Sequence, residues 1–372
     1  MGRVLEQLSP ILETDFPRRM SEMGIPGAAL ALIEAGEIKS VRCFGFADVA
    51  GQRPVTPGTL FSLQSISKSV AAWAVMRLVE EGRLDLDRPI SDYLTSWTFP
   101  PGQGAETGLV TPRRLLTHHA GISTAGFRGI EYRHDTFGLP EAMRAELPPP
   151  TEEQVAYYRR WDLPDDQPVH IACPPGEAWH YSNPGFAILE IAVQDITGLA
   201  FADYVTSNIL VPLKMSRATF APDFGGDVAV PYGANQTRLM TYRNVSSAAA
   251  GLFASIEDLA MFTRSSIEHA QGRFGPHPVL SRAAVAEMYR GYGEADQSTG
   301  VPFEAGLGHL VLGAGDLRNV HHSGGSIGWR SIWSAFPEIG SGMCILMNSD
   351  QANELWIPFV RQWREAVMAF HG

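Results

Sequence analysis

Strand-like segments lie near the two ends of this 372-residue chain, and helix-like segments fill its middle. Residues 28–35 and 38–46 are two apolar runs joined at Gly36, a pattern typical of a β-hairpin. Strand patterns return only near the C-terminus, at residues 306–312, 320–322, 327–336 and 343–348. Segments this far apart form one sheet only if the chain ends meet. The sequence therefore predicts an α/β (α+β) fold whose sheet is built from both chain ends and carries a large, mostly helical insertion.

Helical periodicity places apolar residues on one face of nine segments. These predicted helices span residues 3–23, 66–81, 111–118, 151–161, 183–197, 201–210, 255–269, 281–289 and 354–370. We predict a sheet domain from residues 1–62 and 302–372 and a mainly helical domain from residues 63–301. The cleft between two such domains is where a site is expected.

Composition and charge exclude several classes of function. A net charge of -11 argues against nucleic acid or an anionic membrane as partner. The three cysteines, Cys43, Cys173 and Cys344, are far apart in sequence and indicate neither a disulfide framework nor a zinc site. Residues 1–24 contain charges throughout, so the sequence predicts no signal peptide, no membrane span and a cytoplasmic protein. The oligomeric state is left open.

Ser65 and Lys68 are the residues on which the functional prediction rests. They lie where an extended approach, residues 61–64, runs into the predicted helix 66–81, and i and i+3 share one helix face. A serine hydroxyl becomes a good nucleophile when a neighbour takes its proton, and a desolvated lysine can do so near neutral pH. The chain has three lysines, and only this one follows a serine by three residues. Taken alone, residues 65–68 fit simple helix capping by serine equally well.

Two further segments carry residues suited to the same chemistry. Tyr181-Ser182-Asn183 lies in a tight loop that opens a helix, and we expect Asn183 to cap that helix whatever else it does. A second Tyr-x-Asn triplet begins at Tyr242, which we interpret as loop or core. His322-Ser323-Gly324-Gly325 follows a predicted strand, and its small residues would let a substrate backbone lie close.

Two alternative interpretations use other residues. Residues 324–328 match G-x-S-x-G, so Ser326 with Asp350 and His371 could form an α/β-hydrolase elbow. Too few residues follow Ser326 to complete such a sheet, and no alternating βα pattern precedes it. Adjacent histidines at 118/119 and 321/322 have no metal-ligand spacing around them, so we predict neither a metal nor another cofactor.

With these segments in order, the chain resembles the class C β-lactamase and penicillin-binding-protein-like serine hydrolase family. The resemblance covers nearly the whole chain and includes residues 25–29, 61–68, 78–87, 115–121, 249–252, 257–259 and 322–325 together with the Tyr181 loop. It implies a β-lactamase/DD-peptidase-like fold with an antiparallel sheet.

The resemblance also implies roles for individual residues. Ser65 would be the acylated nucleophile, Lys68 its proton partner, and Tyr181 the group that passes the proton to the leaving group. Asn183 would contact substrate, and His322 would begin the third motif with Ser323 and Gly324 following it. The backbone N–H groups of Ser65 and Gly325 would form the oxyanion hole.

That third motif separates this chain from true β-lactamases, which have Lys-Thr-Gly there. A histidine that is mostly neutral at pH 7 replaces a permanent cation. We therefore predict an esterase acting on small carboxylic esters, with a small-molecule ester or amide as the expected partner. The alternatives are a β-lactamase or D-aminopeptidase/DD-peptidase-type amide hydrolase, and a catalytically inactive binding protein on the same fold.

Overall fold

A computed structural model describes residues 3–124, 130–131, 138–146, 167–295 and 301–371. Its main feature is an eight-stranded antiparallel sheet in the order β3-β2-β1-β12-β11-β10-β9-β8. These strands are β1 (Gly27–Glu34), β2 (Glu37–Asp48), β3 (Arg53–Pro54), β8 (Glu304–Ala305), β9 (Leu310–Leu312), β10 (Asn319–Ser326), β11 (Trp329–Phe336) and β12 (Ser341–Met347). The central β1–β12 pair joins the two chain ends, with Leu30 opposite Ile345. The predicted antiparallel sheet from both ends is confirmed.

Four further short strands of the described residues lie outside this sheet. They form two antiparallel pairs, β4 (Phe61–Ser62) with β7 (Phe253–Ala254) and β5 (Ile130–Glu131) with β6 (Arg243–Asn244). The first pair ties the segment just before Ser65 to the segment just before a later helix. It therefore fixes where the chain enters the candidate nucleophile turn.

Eleven α-helices are present in the described residues. They are α1 (Arg3–Pro10), α2 (Phe16–Glu22), α3 (Ser67–Glu80), α4 (Gly104–Thr107), α5 (Pro112–Leu116), α6 (Leu139–Met143), α7 (Asn183–Thr197), α8 (Phe201–Val205), α9 (Ile256–Ala270), α10 (Arg282–Met288) and α11 (Asn353–His371). A π-helical stretch, Ile11–Asp15, connects α1 to α2, and another, Thr206–Leu210, extends α8. The predicted helix at residues 151–161 falls outside the described residues, and the predicted two-domain division stays a prediction.

Cap residues explain several helix boundaries. Thr111 accepts a hydrogen bond from the backbone N–H of Arg114, and Pro112 follows it at the first helical position. Ser255 and Asp258 form a reciprocal capping box at the start of α9. Ser281 caps α10 with one hydrogen bond, which its hydroxyl accepts from the N–H of Ala284.

Strand boundaries near the C-terminus differ from the prediction. The predicted strand 320–322 continues as β10 through Gly324 and Gly325 to Ser326. The predicted strand 327–336 begins only at Trp329, because Gly328 turns the chain with a positive φ of 76°. Glycines normally weaken a strand, but the backbone of Leu63 approaches β10 so closely at Gly324 that a side chain would not fit there.

Two apolar cores lie on opposite faces of the sheet. Along β1, Ala29, Ala31 and Ile33 pack into the larger core with α3, α7 and α9. The alternating residues Ala28, Leu30 and Leu32 pack into a second core with α1, α2 and α11. Since both faces are covered, β1 is apolar along most of its length.

The most apolar helices lie inside the larger core. Within the described ranges, no single helix combines the length and apolar character needed to cross a bilayer. The pair α7 and Phe201–Leu210, bent by 78°, meets those two criteria together. Ile188 and Leu189 of this pair are buried in the larger core.

Candidate active site

Ser65 lies in a 3₁₀ turn, Gln64–Ile66, directly before α3. Gln64 has a positive φ of 50°, a backbone conformation that residues other than glycine seldom adopt. Its buried amide is held by the Ser62 hydroxyl at 2.7 Å, and it also contacts the Tyr242 hydroxyl at 3.4 Å. Surrounding contacts therefore impose this backbone shape and present the half-buried Ser65 hydroxyl at the start of the helix.

Neighbouring serines anchor α3 and do not cap it. The residue at the cap position is Ile66, which provides no side-chain bond. The Ser67 hydroxyl accepts a hydrogen bond from the N–H of Leu252 at 3.0 Å. The Ser69 hydroxyl donates to the carbonyl of Gly308 at 3.0 Å. The capping alternative for this segment is thus not what the structure has.

Lys68 is completely buried and has three polar neighbours around Nζ. These are Ser65 Oγ at 3.2 Å, Asn183 Oδ1 at 2.7 Å and the backbone carbonyl of Ala249 at 2.7 Å. Burial lowers the pKa of Lys68 well below its ordinary value, because the charged form loses its hydration. The two carbonyl oxygens can only accept, so they take the two hydrogens of a neutral amine. The remaining lone pair then faces the Ser65 hydroxyl and can receive its proton.

Tyr181 approaches Ser65 from the opposite segment of the chain. Its hydroxyl lies 2.9 Å from Ser65 Oγ. Burial raises the pKa of Tyr181 to about 12, so the phenol keeps its proton near neutral pH. The ring of His118 stacks on the ring of Tyr181 at a centroid distance of 4.2 Å. His118 Nδ1 also accepts the N–H of Ser182 at 3.2 Å, so His118 orients the loop that carries Tyr181.

The expectation that Asn183 caps helix α7 is wrong, because Ser182 occupies the cap position. The Ser182 hydroxyl accepts from the N–H of Gly185 at 2.9 Å and donates to the carbonyl of Ser123 at 2.7 Å. Asn183 is instead the first helical residue, which leaves its amide oxygen for Lys68. Ser182 therefore caps the helix, and Asn183 is available to contact Lys68.

Strand β10 brings the third predicted segment against the nucleophile turn. A Cβ added to Gly324 would lie 2.2 Å from the carbonyl oxygen of Leu63, so only glycine fits there. Ser331, the partner of Gly324 on β11, donates its hydroxyl to the same Leu63 carbonyl at 2.8 Å. This close approach places Gly325 next to the turn that carries Ser65, as an oxyanion-binding strand requires.

His322 and Ser323 precede the glycines on β10. Burial, and then the neighbouring Lys68, lower the pKa of His322 to about 4. His322 Nδ1 lies 2.7 Å from the carbonyl of Ser323, which can only accept, so this nitrogen carries the hydrogen. His322 is therefore a neutral imidazole at pH 7, with an unprotonated Nε2.

Two cavities flank this part of β10, and Ser323 lines both. The larger, of about 550 Å³, extends along Gly324 and Gly325 to Arg330, Asp350 and Trp356. The other, of about 400 Å³, is lined by His118, Trp179, Tyr181, His309 and His322. Tyr181, whose hydroxyl contacts Ser65, lies in the wall of the smaller cavity and so connects that cavity to the serine.

Ser326 does not lie on a nucleophile elbow. It ends β10 at a hairpin whose next element is the antiparallel strand β11. An elbow requires a strand followed by a helix. The G-x-S-x-G interpretation is therefore wrong, since Gly328 in this motif forms a β-turn.

Sequence reasoning missed three contributors to the site: His118, the Ala249 carbonyl and Glu190. Glu190 is buried on α7 and accepts hydrogen bonds from Ser246 Oγ at 2.8 Å and from the N–H of Ala248 at 2.9 Å. Burial raises the pKa of Glu190 to about 7, against the effect of these bonds. A lone acid in the apolar run of residues 186–193 was the available signal. In the described residues, no group of three His, Cys, Asp or Glu side chains is arranged to hold a metal ion.

A family model described as Beta-lactamase matches residues 12–361. The chain belongs to the beta-lactamase family. The chain is similar to Esterase EstB of Burkholderia gladioli, with 25% identity over 397 residues. That match covers 97% of this chain and 95% of EstB.

Two solved structures similar to this chain have the same fold. An octameric penicillin-binding protein homologue from Pyrococcus abyssi is 26% identical, with a TM-score of 0.71 over 92% of this chain and 74% of that one. A class C beta-lactamase is 17% identical, with a TM-score of 0.72 over 98% of this chain and 96% of that one. The β-lactamase and penicillin-binding-protein-like fold is therefore confirmed.

Proposed function

We propose that this chain is a serine esterase that hydrolyses small carboxylic esters through an acyl-enzyme on Ser65. One observation carries the proposal: Ser65 Oγ lies between the buried amine of Lys68 at 3.2 Å and the hydroxyl of Tyr181 at 2.9 Å. A nucleophile between a proton acceptor and a proton donor can exchange protons in both halves of an acyl-transfer reaction.

In the first half-reaction, the lone pair of Lys68 takes the Ser65 proton as Oγ attacks the ester carbonyl carbon. The negative charge that forms on the carbonyl oxygen is assigned to the backbone N–H groups of Ser65 and Gly325. When the tetrahedral intermediate collapses, Tyr181 gives its proton to the departing alkoxide. The proton that Lys68 received restores Tyr181.

In the second half-reaction, water adds to the acyl-enzyme and the roles reverse. Tyr181 passes its proton to Lys68 as it takes one from the attacking water, and the Lys68 ammonium returns that proton to Ser65 Oγ when the acid is released. No metal or other cofactor takes part in either step of this proposal.

The neutral state of His322 supports an ester in preference to a β-lactam. Its pKa of about 4 means that this position offers no cation to a substrate carboxylate at pH 7. The relative EstB is named an esterase, and it matches nearly the full length of this chain.

Steady-state kinetics with a substrate panel test the proposal. The panel contains p-nitrophenyl acetate, p-nitrophenyl butyrate, nitrocefin and D-Ala-p-nitroanilide. We expect the esters to have the highest kcat/KM, and intact-mass measurement to detect an acyl adduct that is lost in Ser65→Ala.

Ser326→Ala is the matched control, because it removes the other candidate serine from the neighbouring strand. We expect this variant to keep most of the ester activity. Preferential turnover of nitrocefin or of the D-amino-acid amide would refute the ester assignment. An unlabelled Ser65 after treatment with a fluorophosphonate probe would refute the acyl-enzyme itself.

A further inference from the structure

Glu190 is the one buried acid in the described residues whose hydrogen bonds lead to a ligand of Lys68. It lies seven residues after Asn183 on α7, so both side chains leave the same face of that helix. Asn183 contacts Lys68 directly, whereas Glu190 contacts Ser246 and Ala248, in the turn that begins a short π-helical stretch, Ser247–Gly251. One face of α7 therefore supplies the carbonyl group of Asn183 and, through Glu190, contacts the turn that supplies the carbonyl group of Ala249.

The connection from Glu190 to Lys68 runs through three hydrogen bonds. Ser246 donates its hydroxyl proton to Glu190 Oε2 at 2.8 Å and accepts the N–H of Ala249 at 3.2 Å. The carbonyl of the same residue, Ala249, accepts from Lys68 Nζ at 2.7 Å. Because the hydroxyl proton of Ser246 goes to the carboxylate, its lone pairs are directed to the Ala249 N–H.

A second bond from the carboxylate makes the turn rigid. Glu190 Oε2 also accepts the N–H of Ala248 at 2.9 Å, so one oxygen holds two points of the turn. All four residues are buried, and a buried N–H or hydroxyl left without a partner is costly. Loss of the carboxylate would therefore reorganise the turn and move the Ala249 carbonyl.

The position of that carbonyl matters because it decides how the amine of Lys68 is oriented. While Asn183 and Ala249 take its two hydrogens, the lone pair faces Ser65. Without Ala249 the amine is free to rotate and to point a hydrogen at Ser65 Oγ, the wrong polarity for accepting a proton.

We propose that Glu190 is a positioning residue, whose carboxylate holds the Ala249 carbonyl in place so that Lys68 accepts the proton of Ser65. The inference rests on the proposed function of Ser65 and Lys68, and it adds a residue for which the sequence resemblance assigns no role.

The test compares Glu190→Ala and Glu190→Gln with the wild-type chain. We expect Glu190→Ala to lower kcat for p-nitrophenyl acetate by about 10- to 100-fold, with KM changed by no more than about threefold, since the proton transfer is misaligned and the substrate cavities are untouched. Glu190→Gln retains one carbonyl oxygen for Ser246 and Ala248, so it should recover most of the activity. It also keeps the side-chain volume, which makes the test readable if the alanine variant fails to fold.

A pH profile separates positioning from general loss of stability. A carbonyl acceptor favours the charged form of Lys68, so its displacement in Glu190→Ala should lower the lysine pKa and move the acid limb of kcat/KM to lower pH. Glu190→Gln removes the same titratable acid but keeps the acceptor, so its acid limb should stay at the wild-type position, whereas a limb that came from Glu190 itself would move in both variants. Asp258→Ala is the matched control, because Asp258 is a buried carboxylate that also holds a serine hydroxyl and backbone N–H groups but caps α9. We expect it to lower the melting temperature and to leave the acid limb in place.

The proposal is overturned if folded Glu190→Ala keeps the wild-type kcat and acid limb, or if, like Asp258→Ala, it loses activity only through a lower melting temperature while its acid limb stays in place. The rate of Ser65 labelling by a fluorophosphonate gives the same comparison without an ester. If the wild-type chain is labelled but hydrolyses no ester, and labelling slows in Glu190→Ala, the esterase function fails and the positioning role stands.

Discussion

Replacement of Gly324 by alanine tests whether the contact between β10 and the nucleophile turn sets the geometry of the site. The new Cβ would lie 2.2 Å from the Leu63 carbonyl oxygen and 2.5 Å from Ser331 Oγ. Ser331 can rotate, but Leu63 is backbone in the strained segment that leads to Ser65. The strand must therefore retreat by about 0.8 Å to reach the 3.0 Å that Cβ contacts respect.

That retreat has two calculable consequences. It breaks the bond between Ser331 and Leu63 and overpacks a buried site, for an expected loss of about 1–3 kcal/mol in the free energy of unfolding. It also carries the N–H of Gly325 away from Ser65 by nearly 1 Å, a misplacement that reduces kcat by roughly 10²-fold.

Gly325→Ala provides the control for stability on the same strand. Its new Cβ would meet only the side chain of Arg330, at 3.3 Å, which can shift. We expect urea unfolding of this variant to differ little from that of the wild-type chain. An equal or larger loss of stability in Gly325→Ala would refute the assignment of Gly324 as the point of close approach.

Two further predictions concern His322 and Ser182. Burial lowers the pKa of His322 from 6.5 to about 4. Between these two pH values the unfolded state binds more protons than the folded state, so the stability that is present above pH 6.5 is lost as the pH falls to about 4. From His322 alone, the free energy of unfolding should fall by about 3 kcal/mol between pH 7.5 and pH 4. In urea titrations over this range, the stability of His322→Gln should therefore fall by about 3 kcal/mol less than that of the wild-type chain. The same fall in both proteins would show that His322 is not the source of the pH dependence. Ser182→Ala should lower the free energy of unfolding by about 1–2 kcal/mol in thermal unfolding, with kcat within about threefold of wild type. Ser182→Thr should restore the stability. Unchanged stability in Ser182→Ala would mean that Ser182 is not the cap of α7.

The features predicted correctly from sequence are those that depend on local pattern. The β1–β2 hairpin, the cap at Thr111 and helix α7 each follow from periodicity or from a turn residue within a few positions. The pairing of Ser65 with Lys68 is also local, since three residues on a helical turn bring two side chains together.

Tertiary structure decided what surrounds that pair. Ser182 and Asn183 are both good capping residues, so only the position of the helix start relative to Lys68 determines which one caps and which one binds. The Ala249 carbonyl cannot be found by sequence pattern, because every residue has a carbonyl and only the packing of α7 against the turn after β6 brings this one to Lys68.

The sequence by itself thus determined the strand and helix segments and the spacing of Ser65 and Lys68, because period and spacing are properties of neighbouring residues. The close approach at Gly324, the neutral state of His322 and the orientation of the Lys68 amine depend on burial and on contacts between distant segments. Desolvation and the directionality of hydrogen bonds act only once the chain has packed, so only the tertiary structure settles them.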